Sequence, residues 1–252
     1  MTGKERLEEE KQYIQNCERV TVAELSRNWG ITQETARRDL DKLEAEGFII
    51  RVHGGAVWNK QQGQDNIRFY ERQTHNTDAK RRIAVKASEL IRSSGTVMAD
   101  SSTTGVEAMK PQRDEESLIV VTNSIDLCME LTDAKMHIIS TGGNFNKHSM
   151  SFQGAITKKT LMQYNVRLAV ISCKGLDASK GVLDSYESEA EIKKLMIMQS
   201  EKTALLVDHN KFDRKAFLKV ADLSEIDYIV TDEKPSDEWI LLCEEKRIQL
   251  IY

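Results

Sequence analysis

Residues 32–56, TQETARRDLDKLEAEGFIIRVHGGA, set two adjacent arginines, Arg37 and Arg38, in a run that otherwise carries Glu34, Asp39, Asp41, Glu44 and Glu46. At about 100° per residue, Ala36, Leu40 and Leu43 fall on one helical face, Arg38 points away from it, and Gln33 and Arg37 lie on its flank. Thr32 is placed to cap this helix and Gly47 to stop it. Beyond the stop, FIIRVHGGAVW reads as two strands about a Gly54-Gly55 turn.

Working outward, Thr21-Val22-Ala23-Glu24 is a capping box, after which Val22, Leu25 and Trp29 share a face and Gly30 ends the helix. A first helix is expected from Arg6 to Cys17, with Leu7, Ile14 and Cys17 inward and Tyr13 flanking. Two short helices joined by Gly30-Ile31-Thr32 make a helix-turn-helix, and the hairpin after it makes a wing. An isolated Arg-Arg pair is ordinarily a solvated face; the ordered set around it turns the reading toward DNA. The candidate DNA contacts are Thr32, Gln33, Glu34, Thr35, Arg37 and Arg38 on the recognition helix, with Arg51 and His53 on the wing beside the phosphates. Arginine pairs with guanine bidentately and glutamine with adenine. Asp39 sits on the inner flank, where it is expected to serve as a structural partner for an arginine such as Arg27. The other acids would trim nonspecific affinity, leaving binding to correctly placed cations.

The chain has 252 residues, 40% hydrophobic and 30% charged, which suits a folded protein of two domains. No apolar run approaches the roughly 20 residues of a membrane span, and the start lacks a secretion signal, so no membrane role and a cytoplasmic location are expected. Cys17, Cys128, Cys173 and Cys243 show no CxxC and are expected to be reduced and mostly buried; the five histidines show no ligand spacing, so no metal is expected. Net charge is −4, and residues 1–58 carry nine Lys and Arg against eleven Asp and Glu. A broad basic field is thereby excluded, and DNA contact must come from a local cluster.

The winged helix-turn-helix is assigned to residues 1–58, a linker to 59–77 and a second domain to 78–252, on which the linker docks through an apolar knot of Ile67, Phe69 and Tyr70. In the second domain strand-like runs (TVMAD, LIVVTNS, MHIISTGG, RLAVISC, TALLVD, YIVTD, IQLIY) interleave with helices beginning near Asp78 and at IDLCMELT, SEAEIKKLMIMQSE and DEWILLCEEKR. This alternation predicts an α/β fold with a mostly parallel sheet covered on both faces. Ligands of such sheets gather beyond the strands' carboxyl ends. Those ends carry Asp100, Ser101, Ser102, Thr103 and Thr104; Thr122 and Asn123; Gly142 and Gly143; Lys174; and Lys211. Hydroxyls, small residues and ammonium groups suit a polyhydroxylated anion, with free N–H groups at a helix start offering a phosphate seat. Each piece alone is an ordinary cap, turn or loop; the convergence is the argument. Cys173 is read as a buried structural thiol, and Glu187, Glu189 and Glu191 as acids favoured at a helix start.

The stretch VTVAELSRNWGITQETARRDLDKLEAEGFIIRVHGGAV resembles the N-terminal module of the DeoR family of bacterial transcriptional regulators, whose motif runs V-x-V-x-E-L-A, then S-x-x-T-I-R-R-D-L-x-x-L-E-x-x-G, then R-x-H-G-G-A. It departs at Ser26, Thr32 and Ala36. DSSTT, VVTNS, TGG and DHNKF are similar to that family's D-S-G-T-T, T-N-S, G-G and D-S-S-K-F segments in the same order, so the resemblance covers nearly the whole chain. It implies a sensor domain like ribose-5-phosphate isomerase that binds a phosphorylated sugar, with Asp100, Ser101, Thr103, Thr104, Asn123, Gly142, Gly143 and Lys211 at the effector and Thr104 at its phosphate. Ser102 in place of Gly, and His209 and Asn210 in place of two serines, imply a different sugar preference.

The resulting expectation is a repressor of a sugar-catabolic operon, with no cofactor, a phosphorylated sugar as effector, and a homodimer or homotetramer on an inverted repeat of double-stranded DNA. A rival is an enzyme, a sugar-phosphate isomerase or deaminase-like protein with an appended helical module, for which Asp100 and Asp184 are conceivable bases and Lys211 an electrophile. A third reading joins the DNA-binding module to a purely structural dimerisation domain.

Overall fold

The computed structural model describes residues 3–45, 48–52, 54–58 and 69–252. The chain divides into two compact units, Met1–Ile67 and Arg68–Tyr252.

The first unit holds three helices, α1 (Gly3–Cys17), α2 (Val22–Trp29) and α3 (Gln33–Ala45). Three short strands accompany them, β1 (Arg19–Thr21), β2 (Ile49–Val52) and β3 (Gly55–Trp58), paired antiparallel in the order β1-β3-β2. The capping box forms: Glu24 N–H donates to Thr21 Oγ1 at 3.2 Å and Thr21 N–H to Glu24 Oε2 at 2.7 Å. Gly30 closes α2 in the left-handed region. Ala36, Leu40 and Leu43 are fully buried against Ile14, Val20, Leu25 and Ile49, as their spacing predicts. Fully burying one such leucine is worth about 1.5–3 kcal/mol, so this stripe fixes α3 in place. Gly47 lies outside the described residues. Cys17, expected inward, is exposed at the end of α1. The third strand, β1, has only Val20 turned inward and offers no period to read. The hairpin glycines do different work: Gly54 takes φ +76°, whereas a Cβ on Gly55 would lie 2.0 Å from Val20 O, so the approach of β3 to β1 admits no side chain.

In the second unit, seven strands make one wholly parallel sheet: β4 (Thr96–Ala99), β5 (Ile119–Thr122), β6 (His137–Ser140), β9 (Val166–Ile171), β12 (Ser200–Val207), β14 (Tyr228–Thr231) and β15 (Gln249–Ile251). All seven are legible as apolar runs because both faces are covered: Val97 and Ala99 join one core and Met98 the other, as do Leu168 and Val170 against Ala169 and Ile171. Their order, β15-β14-β12-β9-β4-β5-β6, means that the chain builds outward from β4 to β6, then returns to β4's other side and builds the opposite way. The reversal falls between β4 and β9, the kind of switch point at which open parallel sheets form a crevice for ligands.

Two antiparallel additions have no counterpart in the sequence pattern: the hairpin β7 (Asn144–Asn146) with β8 (Ser151–Gln153), and the sheet of β10 (Gly175–Asp177), β11 (Gly181–Asp184) and β13 (Leu218–Ala221). The same holds for the helices Thr103–Met109 and Ala155–Leu161. The former is buried nearly all round and shows no amphipathic stripe. The helix expected to run to Glu201 ends at Met198, since Ser200 and Glu201 already pair in β12. Residues 69–77, expected as the docking end of the linker, belong to this unit, with Phe69 fully buried in its core. Of the four cysteines only Cys173 and Cys243 are buried, fewer than expected. No helix among the described residues is long and apolar enough to cross a membrane.

Candidate functional site

Two sets of residues are expected to carry function, one on each unit. On the first unit, Thr35 N–H donates to Thr32 Oγ1 at 3.2 Å, which caps α3 and fixes its leading turn. Thr32, Gln33, Glu34, Arg37 and Arg38 are exposed and Thr35 is half-buried. The described acids of this run each have a partner. Asp39 is buried and accepts from Arg6 Nε at 3.0 Å and Nη2 at 2.8 Å, with Lys42 on its other oxygen; its partner is thus Arg6 of α1 and not Arg27, whose Nε donates to Ala23 O. Asp41 lies 3.5 Å from Arg51 Nε, and Glu44 accepts Arg51 N–H. Glu34 pairs with Arg38. Among the described residues Arg37 makes no ion pair, so it presents an uncommitted guanidinium. Arg51 is folded back on α3 and Gly55 O, while His53 and Glu46 lie outside the described residues.

Behind α3, Glu10 is fully buried, with neither carboxyl oxygen hydrogen-bonded and Arg6 Nε 3.9 Å away. Burial, helped by the nearby Asp39 charge, pushes its carboxyl up to about 7 despite Arg6 and Lys42.

On the second unit the crevice is founded on a buried charge cluster that the sequence did not reveal. Lys193, on the helix Glu187–Met198, ion-pairs with Asp184 Oδ2 and lies 3.5 Å from Asp100 Oδ2. Burial would lower the lysine, but the two carboxylates outweigh it and hold it above its ordinary value. Burial likewise acts upward on Asp184, and Lys193 and Lys174 pull it below the usual carboxylate range. Asp100 is further occupied: Oδ1 accepts from Ser102 N–H and Oγ–H, and Oδ2 from Ser172 N–H at 3.0 Å. It ties the end of β4 to that of β9 and spends its lone pairs on the protein. Ser102 is equally engaged, its Oγ accepting Gly105 N–H at 2.9 Å. Thr122 donates to Ala99 O and accepts from Ser124 N–H, with nothing left for a ligand.

Other groups are uncommitted. Among the described residues Ser101, Thr103 and Thr104 are buried, yet their hydroxyls make no hydrogen bond. Asn123 donates through Nδ2 to Phe152 O, but its Oδ1 is buried and unpartnered, as is Thr141 Oγ1. Gly142 takes φ +61° and Gly143 +124°, and a Cβ on Gly143 would meet Thr157 Oγ1 at 2.1 Å; Thr157 Oγ1 donates to Gly142 O. Lys174 is buried, and neither it nor the half-buried Lys211 ion-pairs among the described residues. Burial first, then the neighbouring Arg72 guanidinium, pushes Lys174 down to about 7; burial also lowers Lys211. Arg72, which no motif in the sequence singles out, has its Nε buried without a partner. Cys173 is a core thiol that burial pushes up to about 12, out of reach of nucleophilic chemistry.

Beside this crevice, His209, Asp232 and Glu233 bring ligand atoms within 4.8 Å of one another. Arg82 Nη2 already sits 2.9 Å from Asp232 Oδ2 and 3.4 Å from Glu233 Oε1, supplying the cluster's positive charge.

Comparison with known proteins finds matches to both halves of the chain. Residues 6–62 match the family model described as DeoR-like helix-turn-helix domain, and residues 75–233 that described as DeoR C terminal sensor domain. The chain is 37% identical to the uncharacterized HTH-type transcriptional regulator YulB of Bacillus subtilis, over 92% of this chain and 89% of the relative. It is 31% identical to the L-fucose operon activator of Haemophilus influenzae, over 95% and 96%. The HTH-type transcriptional repressor GlcR of Bacillus subtilis is 30% identical, over 100% and 96%.

Proposed function

Since the chain belongs to the DeoR family of DNA-binding transcriptional regulators, we propose that it represses a sugar-catabolic operon and is released from, or modulated at, its operator by a phosphorylated sugar. In this reading Arg38, Arg37 and Gln33 read base edges, Thr32, Glu34 and Thr35 frame them, and Arg51 and His53 approach the phosphates. A homodimer or homotetramer presents two such helices to an inverted repeat about one helical turn between half-sites.

The observation that carries the effector assignment is that the carboxyl edge of one parallel sheet carries both Lys174 and Lys211, which make no ion pair among the described residues, and the orphaned Asn123 Oδ1 and Thr141 Oγ1. Buried polar atoms are seldom left unsatisfied, and a hydroxylated anion answers both kinds. Ser101, Thr103, Thr104, Gly142 and Gly143 complete the lining, whereas Asp100, Ser102 and Thr122 shape it. Enzymatic chemistry finds no base here, because Asp100 and Asp184 are both tied to Lys193; the family is one of regulators.

A thermal-shift screen of aldose and ketose phosphates, followed by operator titration with each hit, tests the assignment. A ligand at about 100 times its Kd adds about 2.7 kcal/mol of stability. Release from the operator by a hit is expected; a screen in which no phosphorylated sugar raises Tm sinks the effector reading. A reporter fused to the operator gives the direction of control, since one relative is named an activator and another a repressor.

A further inference from the structure

The helix Phe69–Thr74 opens the second unit, and its anchoring is unusually complete for six residues. Phe69 is fully buried and its N–H donates to His148 O at 3.1 Å; Tyr70 Oη–H reaches Met150 Sδ at 3.6 Å; and Lys80 Nζ donates to the carbonyls of Arg72 and His75. The helix also packs on Thr103–Met109, whose first residues carry the crevice hydroxyls. Against this backdrop the Arg72 side chain is left over. Its guanidinium lies 5.6 Å from the Phe69 ring, its Nε is buried without a hydrogen bond, and among the described residues it has no carboxylate partner. An arginine kept for structure is normally hydrogen-bonded at such a position, and an orphaned N–H costs about 1–3 kcal/mol.

Its surroundings are cationic. Arg72 stands close enough to Lys174, Lys211 and Lys80 to depress all three ammonium groups, after the larger effect of burial. The acids facing them are few: Asp208 near Lys80 and Lys211, Glu107 near Lys80, Glu189 near Lys174, and Asp184, which Lys193 already holds. The backbone runs agree with the closeness of Lys174 and Lys211, since Leu176 bridges to Phe212 and a Cβ on Gly175 would touch Arg214 O.

We propose that Arg72 is an effector-binding residue whose guanidinium, with Lys174 and Lys211, takes the anionic group of the ligand. It rests on the reading that this crevice holds a phosphorylated effector, and it adds that the ligand is gripped by the first helix of the unit, four residues after the unit begins at Arg68. Ligand and entry segment are thereby one device. Binding fixes the helix that receives the chain from the DNA-binding unit, which gives the effector a differential contact through which to shift a conformational equilibrium.

Calorimetric titration of full-length wild type, R72Q and R72K with inorganic phosphate, a panel of aldose and ketose phosphates and the matching unphosphorylated sugars tests it. Loss of one charge-assisted contact predicts roughly 10- to 100-fold weaker binding of phosphorylated ligands by R72Q, little change for the unphosphorylated sugars, and partial recovery in R72K. An unfolded R72Q is recognised by its circular dichroism melt, and R72K then carries the comparison, with a loss of at least threefold expected since Lys does not reproduce the planar fork. Wild-type-like affinity of R72Q, or of R72K where R72Q does not fold, overturns the role of Arg72 alone; a wild type that binds none of the phosphorylated compounds overturns the effector reading with it.

Discussion

Arg38 and Glu34 face each other across one turn of α3, Nη2 to Oε1 at 2.6 Å, with both side chains nearly three-quarters exposed. Exposed pairs of this spacing are worth only about 0.3–0.5 kcal/mol, so a phosphate or a guanine edge readily displaces the glutamate. The acid is therefore expected to act as a weak competitor for the cation proposed to read DNA. E34Q is expected to raise affinity for nonspecific duplex and steepen its salt dependence, while narrowing the margin between operator and random sequence; fluorescence anisotropy at several salt concentrations measures both. Equal salt slopes for E34Q and wild type would count against competition.

The reading role itself is tested by Arg38→Ala. A side chain bidentate to a base loses about 1–3 kcal/mol of specific binding and relaxes preference at that base, whereas a phosphate contact weakens all sequences alike. Titration against operators varied one position at a time separates the two outcomes, and Arg37→Ala provides the comparison.

Glu10 places a pH-dependent weakness behind α3. Its folded carboxyl, at about 7, lies above its ordinary 4.5, so the folded state holds a proton that the unfolded state has released between those values. Stability contributed by this group is consequently lost as pH rises from about 4.5 to about 7 and stays lost above it. E10Q keeps the shape and removes the charge; it is expected to raise the Tm of the first unit at pH 8 and to leave it nearly unchanged at pH 4.5. A uniform shift across pH would refute the assignment.

Removing Lys193 leaves Asp100 and Asp184 buried without their counter-charge. Breaking a buried pair from one side costs about 3–5 kcal/mol, which for a unit of this size lowers Tm by on the order of 10 °C. Differential scanning calorimetry of K193M measures the loss, and adding D184N to K193M should restore part of it.

If the proposed effector binds at Lys174, its binding carries a proton signature. It sits near 7 when the crevice is unliganded, and an anion beside it favours the charged form, so binding above pH 7 takes up a proton and weakens as pH rises. Calorimetry at pH 8 in two buffers of different ionisation enthalpy detects that uptake in wild type, and K174M should abolish it.

What the sequence discloses depends on the range of each interaction. The caps at Thr21 and Thr32 and the stripe Ala36, Leu40, Leu43 are contacts within one or two turns, and local pattern reveals them. The seven parallel strands are legible because apolar side chains face both cores, fully buried in the central strands and partly buried in the edge strands β6 and β15. Asp39 is recognisable as structural, but its partner is 33 residues away on α1, a pairing without a local trace. Lys193 and Arg72 are hidden for the same reason: each looks like one more charge on a polar stretch until the fold encloses it. Strands of three residues, such as β1, β7 and β10, are too short to show any alternation.

The divergence of the chain between β4 and β9 has an evolutionary corollary. The rungs of the sheet are backbone to backbone, so rim side chains that bond nothing within the protein, such as those of Ser101, Thr103 and Thr104, can be exchanged without loosening a strand. Appetite for a new metabolite is then acquired by rewriting a handful of rim positions, while the scaffold, and the DNA-reading half it is tethered to, are inherited intact.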